Sequence, residues 1–84
     1  MKTRKLGSSD LYVTELILGT WAIGGTMWSD YDESGAKEAI KASIDNGINC
    51  IDTAPAYGGS HAEELIGDII TGMRDKLIIA TKCG

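Results

Sequence analysis

Histidine and cysteine, the side chains that most often bind transition metals, are scarce in this chain. Its 84 residues include one histidine, His61, and two cysteines, Cys50 and Cys83. No Cys-x-x-Cys pair occurs, so the spacing of a structural zinc site is missing and we expect no metal. No apolar signal-peptide core follows the basic start of the chain. We therefore expect reduced thiols and a cytoplasmic protein.

Clustered positive charge and long apolar runs are missing as well. Eight Lys and Arg stand against 12 Asp and Glu, for a net charge of −4, and the basic residues are scattered. This balance argues against a nucleic-acid or anionic-membrane surface. No apolar run approaches the roughly 20 residues of a membrane span. We expect neither nucleic acid nor membrane as a partner.

Two nucleotide-binding motifs are absent. The glycines at positions 19, 24 and 25 do not have Gly-x-Gly-x-x-Gly spacing, which argues against a Rossmann dinucleotide site. No Gly-x-x-x-x-Gly-Lys-Ser/Thr loop occurs either, so nucleotide hydrolysis is not expected.

What the chain does contain is an alternation of strand and helix patterns. Apolar runs, periodicity and turn residues predict, in order, a hairpin at 3–13, a buried strand at 16–19, a loop at 20–31, a helix at 33–46, a strand at 48–52, a helix from 60 to about 72 and a strand at 77–81. This order implies a parallel sheet with right-handed crossovers. We expect residues 1–84 to form one partial domain without a linker, from either an open doubly wound sheet or a barrel.

Helix ends carry their own signals. Asp32 or Ser34 is expected to cap the first helix, and the pair Asn46-Gly47 to end it. Ser60 with Glu63 three residues later predicts a capping box at the start of the second helix.

Charged residues end two of the predicted strands. Asp52 closes the strand at 48–52, Lys82 follows the strand at 77–81, and Tyr57 lies in the loop after Asp52. The carboxyl ends of parallel strands share one edge of a sheet, where α/β proteins build their sites. A carboxylate, an ammonium and a phenol gathered there could handle protons, because a nearby cation favours the ionised phenol. Solvated charges, a structural ion pair and a packing role for Tyr57 remain open alternatives.

The residues around this group resemble the aldo-keto reductases. The resemblance rests on residues 47–58 (GINCIDTAPAYG), continues through 60–67 (SHAEELIG) and ends with 79–82 (IATK). Residues 6–9 (LGSS), 18–21 (LGTW) and 23–24 (IG) resemble the opening of the same family. The resemblance extends over essentially the whole chain and requires no insertions.

The resemblance implies an α/β fold, namely an N-terminal β-hairpin plus the first three strands and two helices of a (β/α)8 TIM barrel. It also implies an enzyme that reduces aldehydes or ketones to alcohols by hydride transfer from NADPH. Tyr57 would donate the proton to the carbonyl oxygen, Lys82 would promote its release by charge proximity, and Asp52 would orient Lys82.

The same resemblance suggests where ligands would bind. The residues expected near the nicotinamide end of the cofactor are Gly19, Thr20, Trp21 and Asp52. Those expected around a small carbonyl substrate are Trp21, Trp28 and Tyr57. Tyr31 could join that wall, and packing remains an equal interpretation for Trp21, Trp28 and Tyr31.

One part of the family pattern has no counterpart in these residues. The family's fourth catalytic residue is a histidine on the strand after the lysine strand, and His61, in the first turn of a helix, is expected at the surface or in a cap. The segments that hold the cofactor phosphates are not found either. We therefore expect little or no activity from the 84 residues alone, and either self-association or pairing with the missing portion of the barrel. The alternatives are a non-catalytic redox-sensing or regulatory subunit of the same fold, like the potassium-channel β subunits, or a truncated fragment without its own function.

Overall fold

The computed structural model describes residues 1–21 and 33–83. The predicted loop residues Trp28 and Tyr31 and the predicted cap Asp32 lie outside the described residues, as does the 23–24 segment.

The chain opens with the predicted hairpin. Strands β1 (Thr3–Lys5) and β2 (Tyr12–Thr14) pair antiparallel, with Arg4 opposite Val13. The turn between them is closed by the Ser9 hydroxyl, which donates to the Leu6 carbonyl at 2.6 Å. Val13 and Thr14 are buried, so the end of β2 is the part of the hairpin that packs on the rest of the molecule.

Three short strands form the predicted parallel sheet. Its order is β3 (Leu18–Gly19), β4 (Cys50–Asp52) and β5 (Ile78–Ala80), with β4 in the middle. The register pairs Ile51 with Leu18 on one side and with Ile79 on the other. Because the strands run in the same direction and are joined through helices, the carboxyl ends of β4 and β5 lie at one edge.

Two helices connect these strands. Helix α1 spans Glu33–Asp45 and α2 spans His61–Ile69, and a 3-10 turn at Arg74–Lys76 leads into β5. Gly47 ends the passage out of α1 with φ of 100°, a value that glycine adopts without strain, as predicted.

The core lies between the helices and the sheet. Its buried members are apolar side chains from both helices, from β4, and from the residues that follow α2 and precede β5: Ile40, Ile51, Leu65, Ile66, Ile70 and Leu77. Apolar residues that recur at helical spacing in each helix therefore supply the packing face, although Ala39 of α1 is exposed.

Asn49 joins the hairpin to the sheet. Its side-chain oxygen accepts from the Thr14 backbone N–H at 2.9 Å, and its amide nitrogen donates to the Tyr12 carbonyl at 2.8 Å. Its own carbonyl accepts from Ile78 N–H at 2.7 Å. One residue immediately before β4 thus holds β2 and β5 in place.

Two local predictions are wrong. Ser60 has φ of 75° and makes no side-chain cap bond, and its hydroxyl instead faces the Pro55 carbonyl at 3.4 Å. A capping serine needs an extended backbone, so the left-handed conformation of Ser60 rules out the capping box with Glu63. The predicted buried strand at 16–19 is shorter, because Leu16 and Ile17 precede β3 and are 60% and 49% exposed.

Candidate active site

Two neighbouring strands deliver the charged pair. Asp52 is the last residue of β4, and Lys82 follows β5 by two residues. The backbone N–H of Thr53 donates to the Ala80 carbonyl at 2.8 Å, which extends the pairing of the two strands to the point where the side chains leave. The sheet edge therefore brings together the two charges that the sequence placed at strand ends.

Lys82 is the centre of the site. Its Nζ lies 2.9 Å from the Thr53 carbonyl oxygen, 3.3 Å from the Tyr57 hydroxyl oxygen and 3.4 Å from Asp52 Oδ1. The same nitrogen lies 5.0 Å from the centroid of the Tyr57 ring, within the range of a cation–π contact. The structure thus gathers the three predicted catalytic side chains around one ammonium group.

The surroundings favour the charged form of Lys82. Its pKa is raised above the ordinary lysine value, chiefly by the hydrogen bond to Tyr57. Partial desolvation opposes this rise, and the hydrogen bond and charge of Asp52 add to it. About half of each side chain of the Asp52–Lys82 pair is exposed, so water screens their attraction. The cluster consequently keeps a cation beside a phenol at neutral pH.

Thr20 holds the backbone of Asp52 in place through two hydrogen bonds. Its N–H and its hydroxyl both donate to the Asp52 carbonyl, at 3.1 Å and 2.9 Å. Thr20 is 0% exposed, and its hydroxyl is bound to the end of β4. Nothing in the sequence pattern signalled this bond, because the two residues are far apart in the chain.

The Tyr57 loop is tied down by main-chain bonds. Tyr57 N–H donates to the Ala54 carbonyl at 3.1 Å, and the Tyr57 carbonyl accepts from Ala62 N–H at 3.2 Å. Ala62 is buried in the first turn of α2, so that helix holds the loop from its carboxyl side.

His61 lies beside this loop but points to the other helix. Its Nε2 is 2.8 Å from Glu33 Oε1, which links the amino-terminal turns of α2 and α1. The expected placement in the first turn of a helix is correct, and its role there is an interhelix contact.

One cavity among the described residues is not lined by Asp52, Tyr57 or Lys82. It has a volume of about 230 Å³, and it is lined by Thr53, Glu63, Ile66, Gly67, Ile70, Arg74 and Ile79. The hydroxyl of Thr53, one of its lining residues, is buried without a hydrogen-bond partner. Neither Trp21 nor Tyr57, two of the residues expected around a substrate, is among its lining residues.

Of the remaining residues predicted to bind ligands, Gly19 and Trp21 lie within the part of the chain that the structure describes. Gly19 ends β3 next to Asp52 in the register, and Trp21 follows with 53% of its surface exposed. Trp28 lies outside the described residues. Among residues 1–21 and 33–83, no cluster of three or more His, Cys, Asp and Glu is arranged for a metal ion, and no helix has the length and apolarity to cross a membrane.

Comparison with known proteins decides the family. The model of the Aldo/keto reductase family matches residues 15–84, which is most of the chain. This chain belongs to the aldo/keto reductase family. The family prediction made from residues 47–58, 60–67 and 79–82 is therefore confirmed.

Two curated aldo/keto reductase relatives match nearly the whole chain. The aldo-keto reductase YhdN of Bacillus subtilis is 46% identical over 84 residues, covering 98% of this chain and 25% of YhdN. The NADH-specific methylglyoxal reductase of Escherichia coli is 38% identical over 87 residues, covering all of this chain and 27% of that protein. The chain spans about a quarter of the length of these relatives.

Solved aldo/keto reductase structures share the fold. The holo form of AKR11C1 from Bacillus halodurans superposes with a TM-score of 0.88 at 39% identity, over 100% of this chain and 26% of that one. An aldo-keto reductase from Klebsiella pneumoniae in complex with NADPH superposes with a TM-score of 0.77 at 33% identity, over 98% of this chain and 28% of that one. The predicted partial (β/α)8 barrel is confirmed.

Proposed function

We propose that Asp52, Tyr57 and Lys82 form the proton-delivery part of the active site of a carbonyl reductase. The observation that carries the proposal is the convergence of a phenol, a carboxylate and a backbone carbonyl on the Lys82 ammonium group, with all its contacts at or below 3.4 Å. Family membership supports the same reading. The substrate class would be a small aldehyde or ketone.

Tyr57 acts as the general acid in this proposal. As the carbonyl carbon of the substrate accepts a hydride, negative charge develops on the carbonyl oxygen, and the Tyr57 hydroxyl passes its proton to that oxygen. The products are an alcohol and a tyrosinate. Lys82 Nζ, 3.3 Å from the phenol oxygen, stabilises the tyrosinate by charge and by a hydrogen bond.

Asp52 and Thr53 keep Lys82 in position. The Thr53 carbonyl accepts the shortest of the Lys82 hydrogen bonds, and the Asp52 carboxylate balances the ammonium charge from another side. The Lys82 ammonium group has three N–H donors. Because Thr53 and Asp52 accept from two of them, the third N–H is directed at the Tyr57 oxygen.

The described residues fit a nicotinamide cofactor at this edge. Gly19 carries no side chain and nothing fills the space where a Cβ would stand, and Trp21, two residues later, is 53% exposed. Gly19 and Trp21 would hold the nicotinamide end next to Asp52. When bound, the reduced cofactor, NADPH in our proposal, supplies the hydride. The NADPH complex of the Klebsiella relative supports this choice, whereas the E. coli relative is named as NADH-specific.

A chimera tests the assignment of Tyr57. Residues 1–84 would replace the matching quarter of YhdN, and NADPH oxidation would be followed with a model aldehyde. We expect turnover, and we expect Tyr57→Phe to lower kcat by about 10²- to 10⁴-fold, the usual contribution of a general acid. KM should change little, because the lost proton transfer occurs in the transition state.

A matched tyrosine controls for the loss of a hydroxyl. Tyr12 lies in β2 with 55% of its surface exposed, so Tyr12→Phe should leave kcat of the chimera unchanged. Equal kcat for the Tyr57→Phe chimera and the parent chimera would refute the general-acid role. The 84 residues assayed alone should show no turnover, and clear turnover would refute that separate expectation.

A further inference from the structure

A hydrogen bond outside the three-residue cluster joins the end of β5 to α2. The hydroxyl of Thr81 donates to Glu63 Oε2 at 2.7 Å. Thr81 immediately precedes Lys82, and Glu63 lies in the first turn of α2. Because the regular pairing of β5 ends at Ala80, this side-chain bond acts on the single residue between the strand and Lys82.

The same helical turn also holds the tyrosine loop. Ala62, the neighbour of Glu63, donates its N–H to the Tyr57 carbonyl at 3.2 Å. Two consecutive residues of α2 therefore fix the backbone next to both Tyr57 and Lys82. A shift of Thr81 away from α2 would change the separation of the phenol and the ammonium without altering either side chain.

We propose that Glu63 is a positioning residue, which acts through the Thr81 hydroxyl to set the distance between Lys82 Nζ and the Tyr57 oxygen. The inference rests on the proposed function for its catalytic meaning, but its geometry can be measured without turnover. Charge-assisted hydrogen bonds of this type are roughly twice as strong as neutral ones, so a carboxylate suits the task. The raised pKa of Lys82, which depends first on its bond to Tyr57, offers a sensor of that distance.

Thr81→Val is the central variant. It keeps the branched shape of the side chain and replaces the hydroxyl with a methyl group, which removes the hydrogen bond to Glu63. In the 84-residue chain with labelled lysine and tyrosine, we expect the Lys82–Tyr57 NOE to weaken at least twofold and the pKa of Lys82 to fall toward the ordinary lysine value. Thr81→Ser keeps the hydroxyl and should restore both signals.

Variants of Glu63 separate hydrogen bonding from charge. Glu63→Ala should reproduce the effect of Thr81→Val, while Glu63→Gln retains an acceptor and should lie between Glu63→Ala and the parent chain. Glu64 is exposed in the same turn, so Glu64→Ala removes an equal charge and should leave the NOE unchanged. In the Thr81→Val, Glu63→Ala double variant, the two effects should not add.

The outcomes distinguish this inference from the reductase proposal. If Thr81→Val leaves both the Lys82–Tyr57 NOE and the titration of Lys82 unchanged, the positioning role is overturned. This conclusion does not depend on whether the chimera shows turnover. If Thr81→Val unfolds the chain, the comparison of Glu63→Gln with Glu63→Ala decides, and equal signals for these two would also overturn it. In the chimera, Thr81→Val should lower kcat about fivefold to tenfold at constant KM. Failure of turnover in the parent chimera would refute only the proposed function.

Discussion

A single residue, Lys82, is expected to make the folding stability depend on pH. The folded state raises the pKa of Lys82, so its contacts stabilise the fold fully below the ordinary lysine pKa of about 10.4. That contribution is lost as pH rises through the higher folded value. We expect the urea midpoint of the parent chain to fall as pH increases above about 10.4, and we expect Lys82→Met to show a shallower decline.

A second lysine serves as the control for this titration. Lys5 lies in β1 with an exposed side chain, so Lys5→Met should retain the slope of the parent chain. Identical slopes for Lys82→Met and the parent chain would contradict the assignment of Lys82. Because Lys82 is exposed, we expect a small difference in midpoint rather than loss of the fold.

The sequence identified the side chains of the proposed site but not the groups that hold them. Asp52 and Lys82 were visible because apolar runs ended in charges, and Tyr57 because it followed Asp52 in a loop. The Thr53 carbonyl, which makes the shortest contact of Lys82, is a main-chain atom and leaves no mark in a sequence. The Thr20 hydroxyl bond to Asp52 spans 32 residues, a separation that no local pattern encodes.

At the scale of elements, Asn49 carries the attachment of the hairpin. Asn49→Ala would remove the acceptor of the partly buried Thr14 N–H and the donor to the Tyr12 carbonyl. An unsatisfied buried group costs about 1–3 kcal/mol, so we expect a loss of roughly 2 kcal/mol in the free energy of unfolding. Urea denaturation followed by circular dichroism measures this loss.

Asn46 provides the comparison for that experiment. Its amide also donates to a carbonyl, that of Ala42 at 2.7 Å, but the bond is exposed at the end of α1. Asn46→Ala should therefore change stability by no more than about 0.5 kcal/mol. A similar cost for both asparagines would argue against Asn49 as the attachment.

An element could be predicted from the sequence where local residues determine it, and could not where contacts with distant residues determine it. The two helices and the parallel order of the strands follow from periodicity and apolar runs, which are properties of the sequence itself. The capping box failed because Ser60 is bound into the preceding turn, where its N–H donates to the Pro55 carbonyl at 2.7 Å. Leu16 and Ile17 matched a buried strand in composition, but pairing begins only at Leu18. In both places the surrounding fold, and not the local sequence pattern, determined the structure.

The whole molecule exposes apolar surface that invites association. Large apolar side chains with more than two fifths of their surface exposed include Leu6, Leu11, Leu16, Ile17 and Trp21. Strands β3 and β5 each pair on one side only within the described sheet. We expect the 84-residue chain to self-associate with rising concentration, as sedimentation velocity would reveal, because exposed apolar patches and unpaired strand edges promote contact between copies.

Two lysine substitutions test the source of that association. Ile17→Lys removes exposed apolar area and should shift the distribution toward monomer. Ala39→Lys adds the same charge on the exposed side of α1 and should have little effect. A parent chain that stays monomeric at all concentrations would contradict the expectation.

Three consecutive residues after Tyr57 have positive φ angles, 65° at Gly58, 62° at Gly59 and 75° at Ser60. A left-handed backbone costs most L-residues about 1–2 kcal/mol each, so few residue types fit this stretch. The three positions beside the proposed acid are poor places to vary side chains, so new substrate preferences would have to arise in loops whose backbone accepts ordinary residues.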